Sequence, residues 1–153
     1  MINMKTKVLF VCYGNICRSP MAKYMFLNMI DNLGLNDKFI VDSAGTSNEE
    51  EGNPMYPNTI KKLNEMHIPY DSHTAKQITY KDYNEYDYII VMDEMNKRDL
   101  ISMFNRSDKV YKLLDFTPLK RDIEDPWGTR NFDVCYEDID YGLKCFLDYL
   151  DNK

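Results

Sequence analysis

The chain has 153 residues, of which 44% are hydrophobic and 29% charged, so one domain (1–153) with its own core is expected. Its net charge of −6 disfavours nucleic acid and anionic membrane as partners, and no apolar stretch approaches a membrane span. The apolar run Val8–Val11 is too short for a signal-peptide core, which indicates a cytoplasmic location. In that setting the four cysteines suggest thiol chemistry or core packing rather than a disulfide framework.

The apolar segments predict strands that alternate with helices along the chain. The predicted strands are Lys7–Val11, Phe39–Asp42, Tyr88–Met92 and Val110–Leu114. The predicted helices are Pro20–Leu33, Asn58–Met66, a helix from an Asp93 cap to about Met103, and Phe132–Leu150. This order implies an α/β fold, a parallel sheet with helices on both faces and ligands at the carboxyl ends of the strands. The irregular stretches Thr46–Pro57 and Phe116–Asn131 are expected to form the rim of that site.

The turn after the first strand has the composition of an anion-binding loop. It reads Cys12-Tyr13-Gly14-Asn15-Ile16-Cys17-Arg18-Ser19-Pro20. Ser19 is a favoured N-cap and Pro20 a favoured first helical residue, so the next helix should direct its amide end at the loop. Gly14 and Asn15 readily adopt positive φ, as a chain that curls around an anion requires. The predicted phosphate-binding residues are Tyr13, Gly14, Asn15, Ile16, Cys17 and Arg18.

Two side chains of this loop carry the predicted chemistry. Arg18 can place a bidentate fork on two phosphate oxygens, which Lys cannot do. The positive potential of the loop favours a thiolate at Cys12, which would lie under the phosphorus for in-line attack. The hydroxyl of Ser19 would stabilise that thiolate as it leaves. A lone Cys is usually a small core residue, but the strand-to-helix turn and the Gly, Asn and Ser-Pro around it favour a nucleophile.

This loop resembles that of the low-molecular-weight protein tyrosine phosphatases. The similarity is close over Val8–Ala22 and continues, in the family's order, at Asp42-Ser43-Ala44-Gly45, His73-Thr74-Ala75-Lys76-Gln77-Ile78, Val91-Met92-Asp93-Glu94 and Asp125-Pro126. The resemblance implies a four-stranded parallel sheet flanked by helices. It also implies hydrolysis of phosphotyrosine in proteins or peptides, with oxyanions bound in the loop and no metal or cofactor.

The resemblance assigns a role to each matching residue. Cys12 would form a cysteinyl-phosphate intermediate, Arg18 would bind the phosphate, and Asp125 would act first as general acid and then as base. The side chains that would hold the loop are Asn15, Ser19, Ser43 and His73. Cys17 would be a second loop thiol, able to pair with an oxidised nucleophile.

Hydrolysis of an aryl phosphate by itself calls for a general acid, because a phenolate leaves more readily when it is protonated as the P–O bond breaks. Asp122, Glu124 and Asp125 all lie in the late loop, and from the residues alone each remains a candidate. Pro126 and Trp127 favour Asp125, because they would stiffen the loop and supply an apolar wall.

The rim after Ser-Ala-Gly departs from the family, which commonly carries an aromatic residue close behind. Glu49 stands at about that position, followed by Glu50 and Glu51, so Trp127 is the only strong aromatic wall expected. The three glutamates are either a solvated loop tip or determinants of specificity at the rim.

The sequence leaves three alternatives to phosphotyrosine hydrolysis. Phosphoarginine phosphatases are similar but carry Thr at the position of Ile16, and Ile16 with Trp127 favours a phenyl ring. Arsenate reductases need two more cysteines on a mobile segment, whereas Cys135 and Cys145 fall on the predicted last helix. A non-catalytic phosphate-binding module would not need the set of Cys12, Arg18 and Asp125. A zinc site is disfavoured by the two histidines, His67 and His73, and the lack of a Cys-x-x-Cys pair.

Overall fold

Strands and helices alternate in the computed structural model, which describes residues 4–153. The strands are β1 (Thr6–Cys12), β2 (Phe39–Gly45), β3 (Tyr88–Val91) and β4 (Val110–Lys112). The helices are α1 (Arg18–Asn32), α2 (Pro57–Glu65), α3 (Tyr80–Glu85), α4 (Glu94–Phe104), α5 (Pro126–Thr129) and α6 (Phe132–Asp151). Residues 1–3 belong to the predicted domain but lie outside the described residues, so the single domain over 1–153 stays a prediction.

The four strands form one parallel sheet in the order β2-β1-β3-β4, which confirms the predicted α/β fold. In the register of the sheet Cys12 lies beside Gly45, and Val11 lies beside Val91. The segments that follow β1, β2 and β3 therefore meet at one edge of the sheet, where parallel α/β folds place their ligands.

Helices cover both faces of the sheet, as predicted. Side chains alternate across a strand, so Phe10 packs into one core with α1 and α6, and Leu9 packs into the other with α3 and α4. Both residues are fully buried, as a central parallel strand requires. Cys135 lies in the first core on α6. Within residues 4–153 none of the helices combines the length and hydropathy of a membrane span.

Several boundaries differ from the sequence prediction by one to three residues, and the largest difference is that β2 ends at Gly45 rather than Asp42. α1 begins at Arg18 rather than Pro20, and Cys17 rather than Ser19 occupies the N-cap position, because the Ser19 hydroxyl bonds inside the loop instead. β4 ends at Lys112, since Leu113–Phe116 turns into a 3-10 helix.

Neither α5, which lies within the stretch Phe116–Asn131 predicted to be irregular, nor the short helix α3 was predicted. Its six residues are too few to show a helical period, and a capping box starts it: Asp82 N donates to Thr79 Oγ1 (3.1 Å) and Thr79 N donates to Asp82 Oδ2 (3.0 Å). The predicted Asp93 cap of α4 is confirmed, because Asn96 N donates to Asp93 Oδ1 at 2.7 Å.

Candidate active site

A cavity of about 260 Å³ opens at the carboxyl end of β1. Its lining comprises Cys12, Tyr13, Gly14, Ile16, Cys17, Arg18, Glu49, Glu50, Asp125 and Trp127. The structure thus brings the predicted nucleophile, arginine and acid to one place, although Asp125 is more than a hundred residues from the loop. Both predicted rim residues, Glu49 and Trp127, line the same cavity.

The Cys12 sulfur lies among hydrogen-bond donors at the floor of the cavity. Cys12 Sγ is 3.0 Å from Ser19 Oγ and accepts a hydrogen bond from Asn15 N at 3.3 Å. The N-terminus of α1 begins only six residues later, at Arg18. A hydroxyl, an amide and a helix N-terminus all stabilise negative charge, so this environment suits a thiolate and, equally, a bound anion.

Asn15 holds the loop in shape. Its φ is 60°, and its buried amide group donates to Ser19 Oγ (2.8 Å) and to Ser43 Oγ (3.0 Å), while Oδ1 accepts from Lys76 N (3.0 Å). The left-handed conformation that the loop needs is therefore taken by Asn15. Gly14, the other residue predicted to adopt positive φ, does not adopt it.

His73 completes the predicted support network from outside the loop. Its Nε2 lies 2.6 Å from Asn15 O, and a carbonyl oxygen only accepts, so Nε2 carries the proton and donates. Burial lowers the pKa of His73 below its usual value, although the same hydrogen bond acts in the opposite direction. The lowered pKa favours a neutral His73, which supports the loop through this hydrogen bond. His73 is not part of the cavity lining.

Gly45, at the end of β2, allows the loop to lie against the sheet. A Cβ added to Gly45 would lie 2.7 Å from Tyr13 O, closer than real contacts allow. Two hydrogen bonds hold the loop close to the end of β2: Thr46 N donates to Cys12 O (2.9 Å), and Ser47 N donates to Tyr13 O (3.0 Å). The predicted nucleophile loop, Cys12–Arg18, is thus held by the backbone of the two residues after β2 and by the side chain of Ser43.

The Arg18 side chain is only 3% exposed and is anchored from behind. Its Nη1 donates to Asp93 Oδ2 and to Ile123 O, both at 2.7 Å. Burial by itself would lower the pKa of this guanidinium, but the surrounding anionic groups, Cys12 and Asp93 first among them, raise it above its usual value. Arg18 therefore stays charged, with Nη1 held from behind, while Nη2 lies 4.0 Å from Asp125 Oδ2, beyond hydrogen-bond distance, and can meet oxygens in the cavity.

Asp93 was predicted only as a helix cap, and its contact with Arg18 was missed. One carboxylate oxygen caps α4 and the other holds the guanidinium, so the start of α4 fixes the direction of Arg18. The signal was present, because Asp93 follows β3 and the ends of neighbouring parallel strands converge.

Of the three carboxylates that the sequence left open as acids, Asp125 alone lines the cavity. Its side chain is 49% exposed, Oδ2 lies 4.0 Å from Arg18 Nη2, and Oδ1 accepts from Trp127 N at 3.0 Å. Asp122 points elsewhere, since it binds Lys112 Nζ at 2.9 Å. Asp125 is thus the carboxyl placed to reach a group above the loop.

The walls of the cavity are more aromatic than the sequence indicated. Tyr13 was predicted for its backbone amide only, yet its side chain is 41% exposed and lines the cavity. Trp127 is 54% exposed, and the guanidinium of Arg130 lies 5.7 Å from its ring centre. Ile16 adds an aliphatic surface between the loop and the rim.

Cys17 also lines the cavity but is buried, and burial raises its pKa to about 12. It is therefore a thiol at neutral pH. Within residues 4–153 there is no group of three His, Cys, Asp or Glu side chains placed to hold a metal ion.

Comparisons with known proteins agree with this geometry. A family model described as low molecular weight phosphotyrosine protein phosphatase matches residues 7–153. The chain is 41% identical to the low molecular weight protein-tyrosine-phosphatase YfkJ of Bacillus subtilis, over 92% of both chains. It is 38% identical to the low molecular weight phosphotyrosine protein phosphatase of Homo sapiens, over 92% of this chain and 93% of the human one.

Solved structures show the same similarity. The crystal structure of YfkJ superposes with a TM-score of 0.94 at 35% identity, covering 97% of this chain and 96% of that one. A Drosophila arginine phosphatase superposes with a TM-score of 0.85 at 29% identity, covering 96% and 98%. The fold is therefore shared by enzymes named for two different phosphorylated residues.

Proposed function

Since the chain belongs to the low molecular weight phosphotyrosine protein phosphatase family, we propose that it hydrolyses phosphotyrosine in proteins or peptides through a phosphocysteine at Cys12. The observation that carries the proposal is the convergence of Cys12, Arg18 and Asp125 on one cavity. A cytoplasmic location, where phosphoproteins and reduced thiols are available, is part of the same proposal.

In the first step the Cys12 thiolate attacks phosphorus while the phosphoryl oxygens accept hydrogen bonds from loop amides and from Arg18. The S–P bond forms as the P–O bond to the tyrosine breaks, and the electron pair of that bond goes to the phenolic oxygen. Asp125, at the mouth of the cavity, donates its proton to that oxygen. Tyrosine leaves neutral, and the phosphoryl group stays on sulfur.

In the second step Asp125, now a carboxylate, takes a proton from a water that attacks phosphorus from the vacated side. The S–P bond breaks, and its electron pair returns to Cys12. The contacts from Ser19 Oγ at 3.0 Å and Asn15 N at 3.3 Å stabilise the departing thiolate. Phosphate is released, and the enzyme returns to its starting charge.

The side chains above the loop support an aryl substrate over phosphoarginine. Ile16 offers no polar group to a guanidinium, and the exposed faces of Tyr13 and Trp127 suit the two sides of a phenyl ring. Arsenate reduction is disfavoured because Cys135 is 2% exposed in the core on α6, where burial raises its pKa above the usual range.

The test compares phosphate release from a phosphotyrosine peptide with release from phosphoarginine and with arsenate reduction in the presence of a thiol reductant. We expect turnover of the aryl phosphate alone. Cys12→Ser should lower that turnover by at least about a thousandfold, while vanadate or phosphate still binds, because the nest consists mostly of backbone amides. Faster release from phosphoarginine, or a Cys12→Ser variant within tenfold of the parent, would overturn the proposal.

A further inference from the structure

The mouth of the cavity is acidic around a single cation. Of the charged residues in its lining, Glu49, Glu50 and Asp125 are carboxylates and Arg18 is the one base. Since Arg18 would face the phosphate, no other base in the lining, as far as residues 4–153 form it, neutralises the two glutamates. Resting on the function proposed above, we infer that Glu49 and Glu50 select substrates with Lys or Arg beside the phosphotyrosine.

Glu50 lies directly against the nucleophile loop. Its Cγ would be 3.3 Å from a Cβ at Gly14, so the absence of a side chain at Gly14 leaves room for it. Its Oε2 accepts a hydrogen bond from Asn53 Nδ2 at 2.7 Å, which holds the carboxylate in place. A substrate whose phosphate sits in the loop must therefore pass Glu50.

Glu49 and Glu51 flank Glu50 but differ in position. Glu49 lines the cavity, and its carboxylate makes no hydrogen bond or ion pair with any of residues 4–153. Glu51 is exposed and absent from the lining. The structure therefore separates the three glutamates that the sequence presents as one run.

The segment that carries these glutamates is fixed to the body of the protein. Gly52 N donates to Ala75 O and Ala75 N donates to Asn53 O, both at 2.8 Å. Ala75 is itself buried and lies two residues beyond His73, which supports the nucleophile loop. Because the backbone is already ordered, little conformational entropy is lost when a basic side chain meets the glutamates.

Simple electrostatics gives the size of the effect. Attraction between opposite charges about 7 Å apart in water raises an association constant roughly threefold, and repulsion between like charges lowers it by the same factor. With two glutamates and partial screening, kcat/KM at low ionic strength should be on the order of tenfold higher for a Lys-flanked than for a Glu-flanked phosphotyrosine peptide. Most of the difference should appear in KM, because the flanking residues do not touch the reacting atoms.

The experiment measures kcat and KM on three phosphotyrosine peptides that differ only in Lys, Ala or Glu beside the phosphotyrosine. The parent, the Glu49→Gln/Glu50→Gln double variant and a matched Glu51→Gln control are compared at low and high salt. We expect the parent and Glu51→Gln to show a higher kcat/KM for the Lys peptide than for the Glu peptide at low salt. In the double variant, and at high salt, the two values of kcat/KM should differ by less than about twofold.

Equal kcat/KM for the Lys and Glu peptides in the parent at low salt would overturn the inference and leave the proposed function intact. A preference that survives in the double variant, or that is lost equally in Glu51→Gln, would also overturn it. Failure of the parent to hydrolyse all three peptides would overturn the proposed function itself, and the selectivity with it.

Discussion

The two sides of the cavity are built differently. The predicted nucleophile loop, Cys12–Arg18, is held by a buried hydrogen bond to Ser43 at the end of β2 and by partly buried ones from His73 and from the backbone of Lys76. The opposite side, around Asp125 and Trp127, is about half exposed and is tied mainly by the short helix that Asp125 itself caps.

This difference separates two tasks. In the proposed mechanism, the donors that would receive the phosphate are set by folding, so no ordering would be required when the substrate arrives. The side that would meet the leaving group is about half exposed and locally held, so it could accommodate different phenols and peptides. We therefore expect changes in the loop to affect all substrates alike, and changes on the opposite side to distinguish among them.

Replacement of the acid should show the largest dependence on the leaving group. Asp125→Asn should slow phosphotyrosine hydrolysis by about a hundredfold to a thousandfold, but by less than about tenfold for aryl phosphates of strongly acidic phenols, which need little protonation. Steady-state rates across a series of phenols measure this dependence. Asp122→Asn and Glu124→Gln are the controls, and an equal loss across the series in Asp125→Asn would remove it from the acid role.

Loss of the anchor behind Arg18 should instead affect every substrate equally. Asp93→Asn keeps a residue that caps helices but removes the charge that faces Nη1, so kcat/KM should fall by about ten- to a hundredfold for all leaving groups. Glu94→Gln is the control, because Glu94 starts the same turn of α4 but pairs with Arg98 and Lys112 rather than with Arg18, and it should change little. If the loss of kcat/KM in Asp93→Asn varied with the acidity of the phenol, the expected difference between the two sides of the cavity would be contradicted.

Oxidation tests the interior of the loop. Peroxide converts the Cys12 thiolate to a sulfenic acid with release of hydroxide. Attack by the Cys17 thiolate on that sulfur would then form a disulfide as the S–O bond breaks and a second hydroxide leaves. Because burial raises the pKa of Cys17 to about 12, the thiolate is scarce at neutral pH. The share of activity that dithiothreitol restores should therefore rise with pH in the parent and not in Cys17→Ser. Cys145→Ser is the control, and full recovery in Cys17→Ser would show that Cys17 only packs in the loop.

The smallest effect is expected for His73, which supports the loop from outside through its hydrogen bond to Asn15 O. The folded protein lowers the pKa of His73, so between that value and the ordinary value of 6.5 the unfolded chain binds more protons. His73 therefore makes the free energy of unfolding fall as the pH drops below about 6.5. Denaturant unfolding from pH 5 to 7 should show a shallower dependence in His73→Gln than in the parent. His67→Asn, at the exposed second histidine, should keep the slope of the parent.

Much of the nucleophile loop could be predicted from the sequence because its parts are adjacent in the chain. Cys12, Asn15 and Arg18 lie within seven residues, and a strand-to-helix turn with this composition has few ways to fold. Ser19 shows the limit even there, because a residue that suits an N-cap bonds to Asn15 and lies near the Cys12 sulfur instead. The pattern could not show which of several partners its hydroxyl would choose.

Hydrophobic periodicity and turn chemistry are local properties, so the residues alone were enough to predict the α/β order, the parallel sheet and the loop after β1. They could not predict which late carboxylate faces the cavity, that Asp93 anchors Arg18, or that Glu50 but not Glu51 lies at the rim. Those outcomes depend on how separate segments meet at the carboxyl edge of the sheet. No local preference encodes that meeting, since it follows from the packing of the whole chain.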